Sequence, residues 1–437
     1  MTWTAANLAV PPAPREGVHG HVQLPGSKSM THRGLVLGAL AGGTSRLVNA
    51  SPAEDCRRTA DALARLGAGV RFEGQGVAVS GWGARPGPAS EPLHAGASGT
   101  TARFLLPLLA LGDGEYRLVG SPRLSRRPMR PLVQALKAIG VSAAAEIQGR
   151  SLPLTVQASG VEGGPVQLDA ALSSQFASAL LLAAPRFRQG LDLTLAGGRT
   201  VSRPYLEMTC AMMARFGVAV QRDGDARFRV PAGGDYRACD MAVEGDATAA
   251  SYFFAAAAVC GGTVSCGPLN EDSTIQGDTG FAGLLERMGC AVDREQDRIV
   301  VRGSRGALRP LELSMNGMPD LVPTLAVTAL FARGTTRISG VAHLRGKESD
   351  RLEDLAAELR RLGGRVAVTG DGLVIEGDGG ETLVPAAIDP HEDHRLAMSF
   401  AVAGLRLPGM ALRNPDCVGK SHPSFFHDLF SLADRSG

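Results

Sequence analysis

Aromatic side chains are scarce in this chain: 2 Trp, 4 Tyr and 14 Phe among 437 residues. A protein that reads single-stranded nucleic acid stacks bases on such rings, so that class is disfavoured. Cysteine is also sparse. The seven present are odd in number and form no C-x-x-C pair, which argues against a disulfide framework or a zinc ribbon and for reduced thiols in a cytosolic protein. Neither sign of charge dominates: 45 Lys and Arg face 43 Asp and Glu, a formal net charge of +2. No global field draws in DNA or a membrane surface. Long apolar runs are missing too. The longest, residues 104–111 and 249–260, are too short to cross a bilayer, and no basic segment followed by an apolar one marks a signal peptide.

What the chain has in quantity is small residues. Gly numbers 56, hydrophobic content is 44% and charged content 20%, the composition of a globular protein whose helices and sheets approach closely. At 437 residues the chain exceeds a single hydrophobic core, so two domains are expected.

A repeat organises them. An apolar-periodic helix ends in Gly, followed by a short alternating strand, a turn and another strand. The helix-ending glycines are Gly67, Gly140, Gly217, Gly289 and Gly363, and successive spacings are 73, 77, 72 and 74 residues. Glycine there is expected at the C′ position with positive φ. The period suits a compact βαβ-type unit and gives six units, the last cut short near residues 425–432. Six units divide into two three-unit domains with a cleft between them.

Polar, glycine-rich stretches punctuate the repeat at predicted helix starts, where unpaired N–H groups and the helix dipole favour anions. Leu24-Pro25-Gly26-Ser27-Lys28-Ser29-Met30-Thr31-His32-Arg33 joins such a start to two cations, with Ser27 or Ser29 as cap or phosphate donor. His94-Ala-Gly-Ala-Ser-Gly-Thr-Thr-Ala-Arg103 offers the Gly96 and Gly99 backbone and the hydroxyls of Ser98, Thr100 and Thr101. Ser121-Pro-Arg-Leu-Ser-Arg-Arg-Pro-Met-Arg130 clusters Arg123, Arg126, Arg127 and Arg130 around Pro128, which fits a helix N1 position. Leu172-Ser-Ser-Gln-Phe176 and Val201-Ser-Arg-Pro-Tyr205 are further polar mouths, and Asp246 of Glu244-Gly-Asp246 reads as an N-cap.

Carboxylates enter the pattern downstream, in Met318-Pro-Asp320, Arg345-Gly-Lys-Glu-Ser-Asp-Arg351 and Asp393-His-Arg395. Lys347 and Arg351 are expected on one face of a helix start. A carboxylate among cations suits general acid–base work, and the cations suit an anionic substrate. Asn414-Pro-Asp-Cys-Val-Gly-Lys-Ser421 approaches a P-loop, but Asn414 replaces the first glycine and Pro423 follows. A P-loop is not expected, and Lys420 remains a candidate anion ligand.

Taken together, L-P-G-S-K-S, S-S-Q, E-G-D-x-x-x-A-S-Y-F, K-E-S-D-R-L and D-H-R-x-A-M, in this order from about Val22 to Phe426, resemble the 5-enolpyruvylshikimate-3-phosphate synthase family of enolpyruvyl transferases. The resemblance implies an α/β (α+β) fold of six βαβαββ-type units, three per domain, as an inside-out α/β barrel. Residues 1–27 with 244–437 would form a discontinuous domain and 28–243 the other, with hinges near 27 and 243. The implied reaction moves the enolpyruvyl group of phosphoenolpyruvate to the 5-hydroxyl of shikimate 3-phosphate by addition–elimination, without metal or cofactor, in a cytoplasmic monomer of the shikimate pathway to chorismate and the aromatic amino acids. No nucleic acid or membrane is implied as a partner.

By the same resemblance, Lys28, Ser29, Arg33, Ser173, Ser174, Gln175, Ser202, Asp320, His343 and Lys347 hold shikimate 3-phosphate. Lys28, Gly99, Arg127, Gln175, Arg351, Arg395 and Lys420 hold phosphoenolpyruvate. Asp320, Glu348 and Lys28 carry the chemistry, with Asp320 the base for the 5-hydroxyl. Glyphosate would occupy the phosphoenolpyruvate site, where Gly99 leaves it room. Three positions depart from the family pattern: Ala97 and His343 where Asn is usual, and Phe104 where many members have Pro.

Three alternatives stand beside this reading. The sister transferase acting on UDP-N-acetylglucosamine uses a loop cysteine, and residues 120–131 contain none. A catalytically silent anion binder draws on Ala97 alone. A P-loop phosphotransferase would need nucleotide and magnesium.

Overall fold

In the computed structural model, residues 7–434 are described apart from 84, 199, 272, 273 and 307. The chain divides into two compact units, Gly26–Val243 and Met1–Pro25 with Glu244–Gly437. The outermost ends of the discontinuous domain expected at 1 and 437 lie outside the described residues.

Among the described residues, five of the six sheets share one topology: a parallel edge pair followed by two antiparallel pairings. In the continuous unit the three sheets run Met241–Ala242, Thr44–Val48, Gly76–Ser80, Gly69–Glu73; then Leu93–His94, Asp113–Val119, Leu154–Ser159, Ser142–Ala145; then Gly164–Leu168, Leu191–Leu195, Arg227–Val230, Gln221–Asp223. In the discontinuous unit Val18–Gln23 pairs in parallel with Gly262–Gly267, beside Ile299–Gly303 and Ala291–Arg294. A second sheet runs Glu312–Ser314, Arg333–Ser339, Leu373–Asp378, Arg365–Val368. The sixth has three strands: Ala387–Ile388 pairs in parallel with Ala411–Arg413, whose antiparallel neighbour is Asn7–Ala9 from the start of the chain. The short last unit is thus supplied with a strand from more than 400 residues away.

The five repeat glycines have φ of 99°, 91°, 91°, 109° and 86°, the left-handed conformation in which a Cβ is costly. They end the outer amphipathic helices, such as Glu54–Arg65 and Glu353–Arg361, whose charged faces stay in solvent.

The inner helices are buried on nearly every face and apolar along most of their length, with polar side chains mostly near their first turns. They are Lys28–Leu40, Gly99–Ala110 and Gln175–Ala183 in one unit. Ala247–Cys260, Val322–Leu330 and His394–Gly404 play the same part in the other. Small side chains let sheet backbone come close: a Cβ on Gly303 would stand 2.1 Å from the Ala257 carbonyl oxygen. The Ser251, Thr324 and Ser399 hydroxyls link the three helices of the discontinuous unit at 3.3 and 3.4 Å. Each inner helix begins where the sequence carries its polar stretch, so one polar cluster forms per unit. Among the described residues no helix is long and apolar enough to cross a membrane.

Candidate active site

In the continuous unit the polar cluster gathers at three helix starts. Helix Lys28–Leu40 begins after Ser27, which occupies the N-cap position without a side-chain cap hydrogen bond, so the capping role expected of it is not made. Lys28 Nζ lies 3.2 Å from Asp55 Oδ2. The Asp55 carbonyl accepts the Thr101 hydroxyl, which also meets Thr59 at 2.7 Å and Ser98 at 2.8 Å. His32 Nδ1 is 2.8 Å from the Thr59 hydroxyl, and burial pulls its imidazole down to about 3, so the ring is neutral.

Arg33 is buried, and its guanidinium donates to the Ser29 carbonyl (2.8 Å), Thr209 hydroxyl (2.8 Å), Tyr205 carbonyl (2.9 Å) and Ser178 hydroxyl (3.5 Å). It stacks 5.3 Å from the centre of the Phe104 ring, a cation–π contact. Arg33 therefore ties the Lys28 helix to Gln175–Ala183 and Arg203–Arg215.

Ser98 caps Gly99–Ala110 through the Thr101 N–H. Gly99 faces the Arg127 guanidinium so closely that a Cβ would stand 2.8 Å from Nη1. Arg127 follows the 3-10 turn Leu124–Arg126 and is buried. The helix after it begins at Arg130 with Pro131 in the first turn. Pro128 does not take the N1 position expected of it: the turn at 124–126 delays the helix, Met129 is its N-cap, Arg130 is N1 and Pro131 stands at N2.

Gln175 opens the third helix, its N–H bonded to the Ser173 hydroxyl at 3.2 Å. Its amide lies between Thr100 (3.0 Å) and Arg103 (2.7 Å), and Arg103 also donates to the Pro128 carbonyl at 3.2 Å. Ser173 and Ser174 are buried beside it. Ser202, at φ 55°, precedes Arg203–Arg215. Lys28, Ser29, Gly99, Arg127, Ser173, Ser174, Gln175 and Ser202 thus all lie at or just before helix starts of one unit.

The discontinuous unit gathers the carboxylates. Asp320 lies in the short turn Pro319–Leu321 that leads into Val322–Leu330. Its Oδ2 is 2.6 Å from Arg395 Nη2, and its Oδ1 is 3.0 Å from Arg351 Nη1 and 3.9 Å from Lys347 Nζ. Glu348 Oε2 takes the other terminal nitrogen of Arg351 at 2.9 Å, and its Oε1 meets Lys420 at 3.1 Å. One guanidinium therefore separates the two candidate acid–base groups. Burial alone would raise the Asp320 carboxyl, but Arg395, Lys347 and Arg351 outweigh it and hold it well below the usual range.

His343 is buried next to this cluster, with no hydrogen-bond partner for Nε2. Burial, then Lys347, lowers its imidazole to about 4 against the pull of Asp320. The ring is neutral and keeps one N–H to give.

The helix start expected over Lys347–Arg351 is not formed. These residues are a loop between the 3-10 turn Ala342–Gly346 and helix Glu353–Arg361. The Asp350 carboxylate accepts the Leu352 and Glu353 N–H groups, each at 3.1 Å, so the helix begins after it. Lys347 and Arg351 meet through Asp320 instead of through a helix face. Lys420 closes the 3-10 segment Pro415–Lys420, and helix Phe425–Ser431 starts only after Pro423, which is not P-loop geometry.

Three residues given no ligand role in the sequence hold the others in place: Asp55 on Lys28, Arg103 on Gln175, and Asp393, already noted as a carboxylate among cations, on Arg351 and Arg395. Arg103 carries a local signal, a lone cation in an apolar helix. Asp55 carries none.

The arrangement is chemically plain. Four cations (Lys347, Arg351, Arg395 and Lys420) surround the carboxylates of Asp320 and Glu348, an arrangement suited to anionic ligands and to proton transfer. Among the described residues no group of His, Cys, Asp and Glu is placed to hold a metal ion.

Comparison with known proteins agrees along nearly the whole chain. The profile of EPSP synthase (3-phosphoshikimate 1-carboxyvinyltransferase) matches residues 12–429. A 3-phosphoshikimate 1-carboxyvinyltransferase of Syntrophobacter fumaroxidans is 46% identical over 420 residues, covering 96% of this chain and 98% of that one. One of Methanoculleus marisnigri is 43% identical, covering 93% and 95%. The solved EPSP synthase of Acinetobacter baumannii superposes with a TM-score of 0.82 at 27% identity, covering 98% of both chains. The sheet topology, the polar helix starts and these matches together mean that the chain belongs to the EPSP synthase (3-phosphoshikimate 1-carboxyvinyltransferase) family.

Proposed function

We propose that this protein transfers the enolpyruvyl group of phosphoenolpyruvate to the 5-hydroxyl of shikimate 3-phosphate and releases inorganic phosphate. The observation that carries the reading is the placement of Asp320 and Glu348 on the two terminal nitrogens of Arg351, at 3.0 and 2.9 Å. Addition of an alcohol to an enol phosphate needs one group to take the hydroxyl proton and another to protonate the methylene carbon. It also needs cations to hold the phosphate and carboxylate.

In this mechanism Asp320 takes the 5-hydroxyl proton as the oxygen bonds to C2 of phosphoenolpyruvate. Glu348, with Lys28, supplies the proton that converts the methylene carbon to a methyl group. The tetrahedral adduct then loses a methyl proton to the same acid–base pair and breaks its C2–O bond to phosphate, restoring the double bond. Arg351, Arg395, Lys420 and Arg127 hold phosphoenolpyruvate, and Gly99 keeps its neighbourhood clear of a side chain. Lys28, Ser29, Ser173, Ser174, Gln175, Ser202, Lys347 and His343 hold shikimate 3-phosphate. Arg33, with four hydrogen bonds to protein oxygens, serves that substrate chiefly by bracing Ser29. The protein acts as a monomer in the cytosol, a state that light scattering across a concentration series checks.

The test is phosphate release from phosphoenolpyruvate in EDTA, with and without shikimate 3-phosphate. Release only with both substrates supports the reading. Release that needs UDP-N-acetylglucosamine or a nucleotide and magnesium overturns it.

A further inference from the structure

Arg351 touches three carboxylates, and they are not equivalent. The side chains of Asp320 and Glu348 retain 18% and 13% of their exposure, whereas Asp393 is fully buried. Asp393 also holds Arg351 differently. Its Oδ2 accepts Nε at 2.7 Å and its Oδ1 accepts Nη2 at 3.2 Å, a side-on, two-point grip that fixes the plane of the guanidinium as well as its position. The remaining capacity of the carboxylate goes to the Ser349 hydroxyl at 3.0 Å and to the Arg395 backbone N–H at 2.9 Å. The second of these makes Asp393 the cap of helix His394–Gly404.

We propose that Asp393 is a positioning residue for phosphoenolpyruvate: it grips the rear edge of Arg351 and sets the helix turn that carries Arg395, so that both guanidiniums present their front edges to the substrate's anionic groups. This inference rests on the assignment of Arg351 and Arg395 to phosphoenolpyruvate. Asp320 and Glu348 occupy the front edge, keep some exposure and exchange places with the incoming anions. Asp393 is sealed in and does not exchange. Its two roles separate chemically. Capping needs an oxygen acceptor, which Asn supplies as well as Asp. The two-point grip needs two acceptor oxygens and a negative charge, which Asn lacks.

The experiment compares the wild type with Asp393→Asn and Ser349→Ala. In Asp393→Asn the melting temperature is expected to fall by no more than about 3 °C, since the cap is kept. The KM for phosphoenolpyruvate is expected to rise about tenfold or more, the scale of a lost charged hydrogen bond, with the KM for shikimate 3-phosphate changed less than about threefold. Ser349→Ala removes one hydrogen bond and is expected to raise the KM for phosphoenolpyruvate about two- to fivefold. An unchanged KM for phosphoenolpyruvate in Asp393→Asn, or equal loss for both substrates, overturns the proposal. If Asp393→Asn does not fold, Ser349→Ala decides alone, and an unchanged KM there overturns it. Thermal stabilisation by phosphoenolpyruvate alone is read in parallel, because it reports binding without turnover. A shift present in the wild type and lost in Asp393→Asn supports the positioning role even if the wild type releases no phosphate. An equal shift in both refutes it while leaving the reaction intact.

Discussion

The carboxylate of Asp320 lies 2.6 Å from the guanidinium of Arg395, so the residue assigned as base is itself bound by a cation assigned to the substrate. Under the proposed assignment, substrate phosphate or carboxylate would compete with Asp320 for that cation, and its arrival would free the carboxylate to accept a proton. Recognition and activation of the base are then one event. Asp320→Asn and Glu348→Gln keep shape and remove the proton acceptor, so each is expected to lower kcat by about 100-fold or more. Steady-state phosphate release measures this, and loss of less than about tenfold for either variant would remove that residue from acid–base work.

His343 makes stability depend on pH. Its imidazole titrates near 4 when folded against 6.5 as the ordinary value, so the unfolded chain binds more protons between those limits. Its contribution is full above about pH 6.5 and fades as pH falls toward 4, amounting to about 3 kcal/mol at most. His343→Asn is expected to lose less stability than the wild type between pH 7 and pH 5. Urea unfolding at the two pH values measures the difference, and equal slopes would refute the assignment.

Gly99 lies against the guanidinium of Arg127, which the proposed function assigns to phosphoenolpyruvate. A methyl group added there would stand 2.8 Å from Nη1 and 2.9 Å from Cζ, forcing a buried guanidinium to move. Gly99→Ala is expected to raise the KM for phosphoenolpyruvate about tenfold, the cost of a disturbed charged hydrogen bond, while sparing stability. The wild type is expected to bind glyphosate competitively with phosphoenolpyruvate, with an inhibition constant below millimolar. Gly99→Ala should weaken the inhibitor at least as much as the substrate. Inhibition kinetics on the two proteins decide both points.

Arg33→Lys tests the brace. Lysine keeps the charge but cannot reproduce four hydrogen bonds from one planar fork. Stability is expected to fall by about 2–4 kcal/mol, read by denaturant titration, with a smaller change in either KM. A stable variant with a large rise in the KM for shikimate 3-phosphate would make Arg33 a direct ligand instead.

Much of this was legible because it is local. A glycine that ends a helix with positive φ depends on its own turn, and the positions of Gly67, Gly140, Gly217, Gly289 and Gly363 carried the repeat. The motif residues at helix starts were visible for the same reason. What was hidden depends on distant partners or on competition between local signals. Asp55 and Asp393 gain their roles from Lys28 and Arg351, 27 and 42 residues away. The charge spacing of Lys347 and Arg351 suggested a helix, but Asp350 captures the N–H groups of Leu352 and Glu353 and moves the start. Pro128 and Pro131 compete for one helix entry, and the turn before them decides.

The strand Asn7–Ala9, paired with Ala411–Arg413, sets a timetable for synthesis. The unit Gly26–Val243 owns every strand it needs once Ala242 has left the ribosome, so it can fold while translation continues. Val18–Gln23 must wait for Gly262–Gly267, and Asn7–Ala9 must wait for Ala411–Arg413. During that interval two short strands trail from a finished neighbour with their edges unpaired, the kind of exposed edge on which nascent chains aggregate.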